Sequence, residues 1–509
     1  MVEPLLASIL VASVLIVILT LVWYPAQSGS PPNTFPGPPR LPLVGNLLQV
    51  PKKHPWKTFA EWKKTYGDIV FVKIFSRNLI ILNSIEAATE LFEKRSLIYS
   101  ERPLRPMAQL CGFGKALLFL PYGETARRTR KLMHAEISQH SVSRHQHLQE
   151  REVQRYVQKL SVSSSDTIWE DTRRLAASVI LMISHGYEVK GLNDPLVHLA
   201  EQVMGYVTLV ITPNTFLVDS LPFLRYLPEW FPGAKFQKEA RNCRRVLHRL
   251  MHEPYLMVQK EMEQGTALPS LVSQNIDGRI DKLEPDEREL IMWTAGGLYA
   301  GGSHSTVASL MTFILCMVLH PEAQKKAQEE LDHVVGHDRL PSFTDRPMLP
   351  YIDCVLQELL RWRPVTPLAA HSTLVDDTFQ GSVIPAGSVV MANAWAFTHD
   401  EKLYSNPEIF DPDRFMSGNL PDPRDFVFGF GRRSCPGQFL FESLLWITIS
   451  TTLSTLDILP ALDNEGQTIT PLPEFTSGGV SQPLPFPCRI IPRSAAANEL
   501  IAYATASWA

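Results

Sequence analysis

Cysteine is scarce: the 509 residues hold six, at positions 111, 243, 316, 354, 435 and 488. No two stand at the short spacing of a zinc or redox site. An Asn-x-Ser/Thr acceptor is also missing. Both absences fit a body kept in a reducing cytosol. Charge of one sign is lacking too, with a formal net charge of -4. That leaves no global basic surface, so nucleic acid is not an expected partner. No internal repeat and no long polar tract is visible, and no GxGxxG follows a strand-like run. The chain is therefore not expected to bind a dinucleotide itself.

What is present is proline and apolar bulk. The 40 prolines make about 8% of the chain against a usual ~5%, which favours many turns over a helical repeat array. A hydrophobic content of 45% can bury a large core. From Pro4 to Tyr24 the residues are almost all apolar, with no charge after Glu3. At ~1.5 Å per residue this run spans a ~30 Å hydrocarbon core. It lacks the basic start and the clean cleavage site of a signal peptide. Residues 1–24 are thus expected to be a retained transmembrane helix. Arg40, Lys52 and Lys53 on its far side place the body in the cytoplasm. The proline-rich stretch within 25–45 reads as a stiff hinge, and 46–509 as one catalytic body.

Within that body, Trp56 to Tyr66 has helical periodicity, and Ile69–Ile74 with Leu79–Leu82 reads as a hairpin. Ser84 caps a helix running to about Lys94. Helical patterns dominate to about residue 370, including a long apolar stretch from Glu284 to Leu319 that carries Gly296, Gly297, Gly301 and Gly302. β-like runs return at Thr378–Ile384 and Ser388–Met391, around the turn Pro385-Ala386-Gly387. The fold class expected is mainly α with a small β portion.

The chemistry concentrates in Phe428-Gly429-Phe430-Gly431-Arg432-Arg433-Ser434-Cys435-Pro436-Gly437. Glycines let backbone come close to a flat cofactor. Cys435 lies just before an apolar helix starting near Phe439, where the dipole and free N–H groups stabilise a thiolate. A lone cysteine is usually structural; Phe, Gly, Arg, Cys and Gly at these offsets are not a usual structural setting.

Phe428, Gly431, Arg433, Cys435 and Gly437 resemble the haem-ligand loop of the cytochrome P-450 superfamily. Glu358-Leu359-Leu360-Arg361 looks like its Glu-x-x-Arg helix, and Phe410 to Phe415 like the segment whose arginine, here Arg414, joins that pair. The landmarks follow in order along nearly the whole chain. The run from Val218 through Gly233 is similar to fungal microsomal members of basidiomycete type. There it lies over the substrate entrance, and its Leu, Phe and Trp suit either bilayer contact or a buried turn. The resemblance implies the cytochrome P-450 fold with a small β subdomain, and haem b (iron protoporphyrin IX) ligated by Cys435. It also implies a buried network of Glu358, Arg361 and Arg414 behind the cysteine loop.

Three departures stand out. The long central helix carries Ala300-Gly301-Gly302-Ser303-His304-Ser305-Thr306, where the family has a small pair, an acid and a threonine. His304 takes the acid's place and Ser305 the threonine's, with Thr306 supplying a second hydroxyl. Gly301 and Gly302 would open the helix groove. His304 is either a proton relay or a core histidine. Secondly, Ala126 stands where the family has a tryptophan directed at a haem propionate, while Arg130 remains. Thirdly, the segment before His371, a further propionate partner, is one residue short.

The reaction implied is insertion of one atom of O2 into an apolar small molecule, with electrons from a separate NADPH-cytochrome P-450 reductase or cytochrome b5. Arg127, Arg128, Lys131 and Arg432 form either its docking patch or a solvated helix face. The location implied is the endoplasmic reticulum membrane. Pocket walls by family position are Leu117–Leu120, Val207–Ile211, Tyr299, Val365–Ala369 and Gly478–Val480. They suit a terpenoid, polyketide or indole intermediate of fungal secondary metabolism. The altered acid and threonine also admit a haem-thiolate isomerase or dehydratase that needs no O2. A catalytically silent haem-binding protein is opposed by the complete cysteine apparatus.

Overall fold

The computed structural model describes residues 34–506, apart from 164, 166, 192, 193, 213, 214, 280 and 281. The anchor expected over 1–24 and the start of the expected hinge lie outside the described residues. In chain order, the elements that place the site begin with helix α1 (Pro55–Tyr66) and strands β1 (Ile69–Ile74) and β2 (Arg77–Leu82). Helices α2 (Glu124–Ile137), α3 (Ile168–His185), α4 (Pro195–Ile211), α5 (Lys235–Glu263), α6 (Pro285–Leu319) and α7 (Pro350–Trp362) follow. Then come β3 (Leu368–Ser372), β4 (Asp377–Phe379), β5 (Ser382–Ile384), β6 (Val389–Asn393) and helix α8 (Gln438–Thr455). A last sheet joins β7 (Leu456–Leu462), β8 (Thr468–Ile469) and β9 (Cys488–Pro492).

Helices make the body and strands its side wall, as expected. The main sheet runs β1-β2-β6-β3, with β2 and β6 parallel and the other pairs antiparallel. Ile80, Ile81 and Leu82 are fully buried on β2, since the sheet is covered on both faces. The described end of the hinge is not free of this sheet: Pro36 O accepts from Phe71 N at 2.8 Å, and Asn46 Nδ2 donates to Pro38 O at 3.0 Å.

Helix α6 is the axis of the molecule, and α2, α3, α4, α5, α7 and α8 all pack on it. Among the described residues it alone is long and apolar enough to cross a membrane. It is a core helix instead, with 72% of its most apolar window buried inside the fold. Its glycines do not break it.

Two local expectations need correcting. The β-like run Thr378–Ile384 is itself a hairpin, β4–β5, because Gln380 (φ +49°) and Gly381 (φ +75°) turn the chain through the left-handed region. The helix capped by Ser84, whose hydroxyl accepts from Ala87 N, is α-helical only over Ile85–Thr89. It then widens into a π turn over Glu90–Lys94. That turn brings the Phe92 carbonyl against Gly431.

Candidate active site

The cysteine loop closes on itself, with Cys435 N donating to Phe428 O at 2.7 Å. Gly431 sits at φ +52°, and a Cβ there would stand 2.3 Å from the Phe92 carbonyl oxygen. Only glycine meets both demands. Phe428 packs edge-on against Phe441 of α8 at 5.5 Å, seating the loop on that helix. Cys435 is exposed, whereas the other five cysteines are buried. Its side chain is accessible on one side, with protein densely packed around the rest. Burial there pushes the thiol pKa up; the N–H groups of Gly437 and Gln438 and the Arg130 charge pull the other way. These are the donors that would temper a thiolate bound to metal.

Beside the loop lies a cluster of cations. Arg130 of α2 donates to Ser434 O at 2.8 Å. Arg433 donates to Ser100 O at 2.7 Å and Leu120 O at 2.8 Å, pinning the segment before α2. Arg102 donates to Ala370 O at 2.9 Å, but its Nε is buried with no partner. Burial, then Arg433 and Arg130, push its pKa down to about 9, with Glu101 the one acid opposing them. A buried guanidinium with a free N–H beside two others lacks an anion. The two carboxylates of a protoporphyrin supply that charge, so the residues present fit a haem with Cys435 as ligand.

Arg102 had no sequence motif to announce it, standing in the polar run Ser100-Glu101-Arg102-Pro103-Leu104-Arg105. His371 on β3 is buried, and its Nδ1 bonds Tyr99 O at 2.8 Å. A carbonyl only accepts, so Nδ1 carries the proton. Burial and the nearby Arg102 and Arg433 hold its pKa down to about 3, leaving Nε2 an acceptor. Ala126 is fully buried in α2. Four residues earlier, Tyr122 takes Arg432 Nη1 on its hydroxyl at 3.0 Å, so Arg432 turns inward rather than joining a surface patch. Arg127, Arg128 and Lys131 remain exposed.

Behind the loop, the structure brings Glu358, Arg361 and Arg414 into contact. Arg361 meets Glu358 through two bonds, Nε to Oε2 at 2.6 Å and Nη2 to Oε1 at 2.7 Å, with both side chains wholly buried. Its other donors reach Thr398 O, Pro407 O and Ile409 O. Arg414 Nε adds a bond to Glu358 Oε1 at 3.2 Å. The same helix, α7, holds Arg424 through Asp353 at 3.1 Å, just ahead of the loop. A fully satisfied buried ion pair of this kind fixes geometry more than it adds stability.

Helix α6 forms the opposite wall. Gly301 faces open space, and Ser305 one turn later donates to Gly301 O at 3.1 Å. Gly301 is exposed and Gly302 to Ser305 are half-buried, while the helix is buried from Thr306 onward. Two expectations fail on this helix. A Cβ at Gly302 would meet Ile180 of α3 at 2.8 Å, so Gly302 admits a neighbouring helix and opens no groove. Thr306 is buried, with its hydroxyl bonded to Gly302 O at 2.7 Å, so it does not back up Ser305. His304 and Tyr299 turn into a separate cavity between α3, α4 and α6. Tyr299 there donates to Leu196 O at 3.2 Å and is not a wall of the cysteine cleft. Burial and Arg173 lower the pKa of His304.

Comparison with known proteins agrees with this geometry. The family model for cytochrome P-450 matches residues 35–486. The chain is 40% identical to cytochrome P-450 monooxygenase 208 of Postia placenta over 497 residues, 96% of each chain. It is 40% identical to cytochrome P-450 monooxygenase claR of Ampulloclitocybe clavipes, over 92% of this chain and 88% of that one. With cytochrome P-450 monooxygenase CLM2 of Gibberella zeae the identity is 38% over 480 residues, 92% of this chain and 90% of that one. A solved zebra fish cytochrome P-450, determined with abiraterone, shares the fold at a TM-score of 0.70 and 23% identity, covering 86% of this chain and all of that one. With its exposed Cys435, its cation cluster and these relatives, the chain belongs to the cytochrome P-450 family and is a haem-thiolate monooxygenase.

Proposed function

We propose that this monooxygenase hydroxylates or epoxidises an apolar intermediate of fungal secondary metabolism, a terpenoid, polyketide or indole. Haem b, when bound through Cys435, supplies the oxygen-activating chemistry. The protein's own residues do the rest. Glu358, Arg361 and Arg414 hold the loop in register, and Arg102, Arg130 and Arg433 neutralise the cofactor's carboxylates. Ser305 stands one turn after the open position at Gly301, with its hydroxyl donated to Gly301 O.

The observation that supports the substrate class is the apolar packing of the C-terminal segment on α4. Gly478 and Gly479 are pressed on Thr208 and Ile211 of α4, where Cβ atoms would come within 2.5 and 2.1 Å. This close packing sets the segment against α4, whose Val207, Val210 and Ile211 are apolar, which suits a lipophilic substrate. Outside it, Leu217, Phe223, Tyr226 and Trp230 stand exposed at 62, 64, 74 and 81% between α4 and α5. Such a patch suits a bilayer surface and entry of substrate from lipid. The exposed Arg127, Arg128 and Lys131 suit an acidic reductase domain or cytochrome b5. Together with the apolar run at 1–24, these features support a single-pass protein of the endoplasmic reticulum membrane with its body in the cytoplasm.

The test is a screen of apolar terpenes, polyketides and indoles against membrane-expressed holoenzyme with reductase and NADPH. Product formation strictly dependent on NADPH and O2 is expected. Turnover of the same compounds without NADPH would replace this reading by isomerase or dehydratase chemistry.

A further inference from the structure

A second charged cluster joins α7, α8 and the segment ahead of the cysteine loop, and its charges do not balance. Arg346 pairs with Asp353 at 2.7 Å. Arg424 pairs with Asp353 at 3.1 Å and with Asp422 at 2.6 Å, but it reaches the Glu442 carboxylate only at 4.0 Å. Among the described residues no other cation pairs with these three acids. Three carboxylates therefore share two guanidiniums, and the surplus negative charge falls on Glu442, the acid with the longest pair. Glu442 is also the most buried of the five, its side chain 12% exposed against 20 to 30% for the others. Its one bond of ordinary length comes from a neutral donor, Gln438 Nε2 at 2.8 Å, one turn earlier on α8. Burial pushes the Glu442 pKa up, while Gln438, Arg424 and Arg346 pull it back.

Gln438 links that charge to the ligand. Its backbone N–H, with that of Gly437, donates toward Cys435, and a Cβ on Gly437 would stand 3.9 Å from the Cys435 Sγ. Its side chain holds the Glu442 carboxylate. Of the charged groups acting on Cys435, Arg130 of α2 is the cation and Glu442 of α8 the anion. We propose that Glu442 is a fixed negative charge that sets the reduction potential of the iron bound to Cys435, holding it low by opposing uptake of the electron. This rests on haem ligation by Cys435 and on no particular substrate. The step is a one-electron reduction: ferric iron takes one electron from the reductase and becomes ferrous, and no bond to Cys435 breaks. A carboxylate in a medium of low dielectric repels the added electron, so removing its charge favours the ferrous form.

The experiment is a potentiometric titration of substrate-free, full-length holoenzyme with dithionite and mediator dyes, comparing wild type with Glu442→Gln, Glu442→Met and Glu442→Asp. The ferrous-to-ferric ratio is read from the Soret band, and the carbon monoxide complex checks ligation in each protein. Glu442→Gln keeps an amide contact with Gln438 and removes the charge. It should raise that ratio at fixed potential about threefold, or about 28 mV for one electron. Glu442→Met removes the charge without asking for a hydrogen bond, and should shift the ratio in the same direction by a similar factor. Glu442→Asp keeps the charge and should stay near wild type. An unchanged ratio in folded Glu442→Gln or Glu442→Met overturns the tuning role. A shift in Glu442→Asp equal to that of Glu442→Gln also overturns it, by assigning the effect to packing. A wild-type carbon monoxide complex without the red-shifted band would instead overturn ligation by Cys435, and the inference with it.

Discussion

The two walls of the cleft follow opposite strategies. On the cysteine side the Glu358 ion pair is fully matched, down to the last N–H of Arg361 on a backbone carbonyl, and only the cluster around Arg102 awaits an anion. On the helix side, polar atoms at Trp169 and Gln482 are left open to a cavity, and burial and Arg173 lower the pKa of His304. The cysteine wall is built to stay still, because a thiolate displaced slightly loses its geometry. The helix wall instead leaves polar groups uncommitted to protein partners.

The largest effects should come from the rigid wall. Cys435→Ala is expected to abolish the red-shifted Soret band of the ferrous-carbon monoxide complex. A band that persists in the folded variant would remove Cys435 as ligand and break the comparison at its base. Glu358→Gln leaves Arg361 uncompensated in the interior, at a cost of about 3–5 kcal/mol. Chemical denaturation should show that loss; a midpoint near wild type would mean the pair is idle. Arg102→Gln removes a charge-assisted contact worth roughly 1.5–3 kcal/mol, so haem transfer to apomyoglobin should quicken about tenfold or more. An unaltered rate would assign the carboxylates to Arg130 and Arg433 alone.

The effect farthest from the cysteine site concerns pH. His185 at the end of α3 is buried, and burial alone pushes its pKa down to about 3. The unfolded chain therefore takes up the proton first. Its contribution to stability is complete above about pH 6.5 and falls as pH drops toward 3, by about 1.4 kcal/mol per unit. His185→Asn should flatten the fall of stability between pH 6 and 4 by that slope. An identical slope in the variant would place the acid sensitivity elsewhere.

Much of the cysteine wall was legible because it is local. Phe428 to Gly437 is one continuous loop, and Glu358 with Arg361 stands three residues apart on one helix. Spacing along a chain carries over directly into neighbours in space there. The helix wall was legible only as a departure. Ser305 and Thr306 read as twin hydroxyls, but ~3.6 residues per turn rotates adjacent side chains by about 100°. One faces the cleft and the other the core. Gly301 and Gly302 divide in the same way, one against open space and the other against Ile180.

By itself the sequence determined the ligand, the class of fold and the chemistry it serves, since each is written in contiguous motifs whose geometry is set by the backbone. Only tertiary structure decided that Arg102 joins Arg130 and Arg433, that Arg432 turns inward on Tyr122, and that Glu201 shares a cavity with His304. Those groups come from separate helices and loops, and it is the packing of the helices around α6 that fixes their distances.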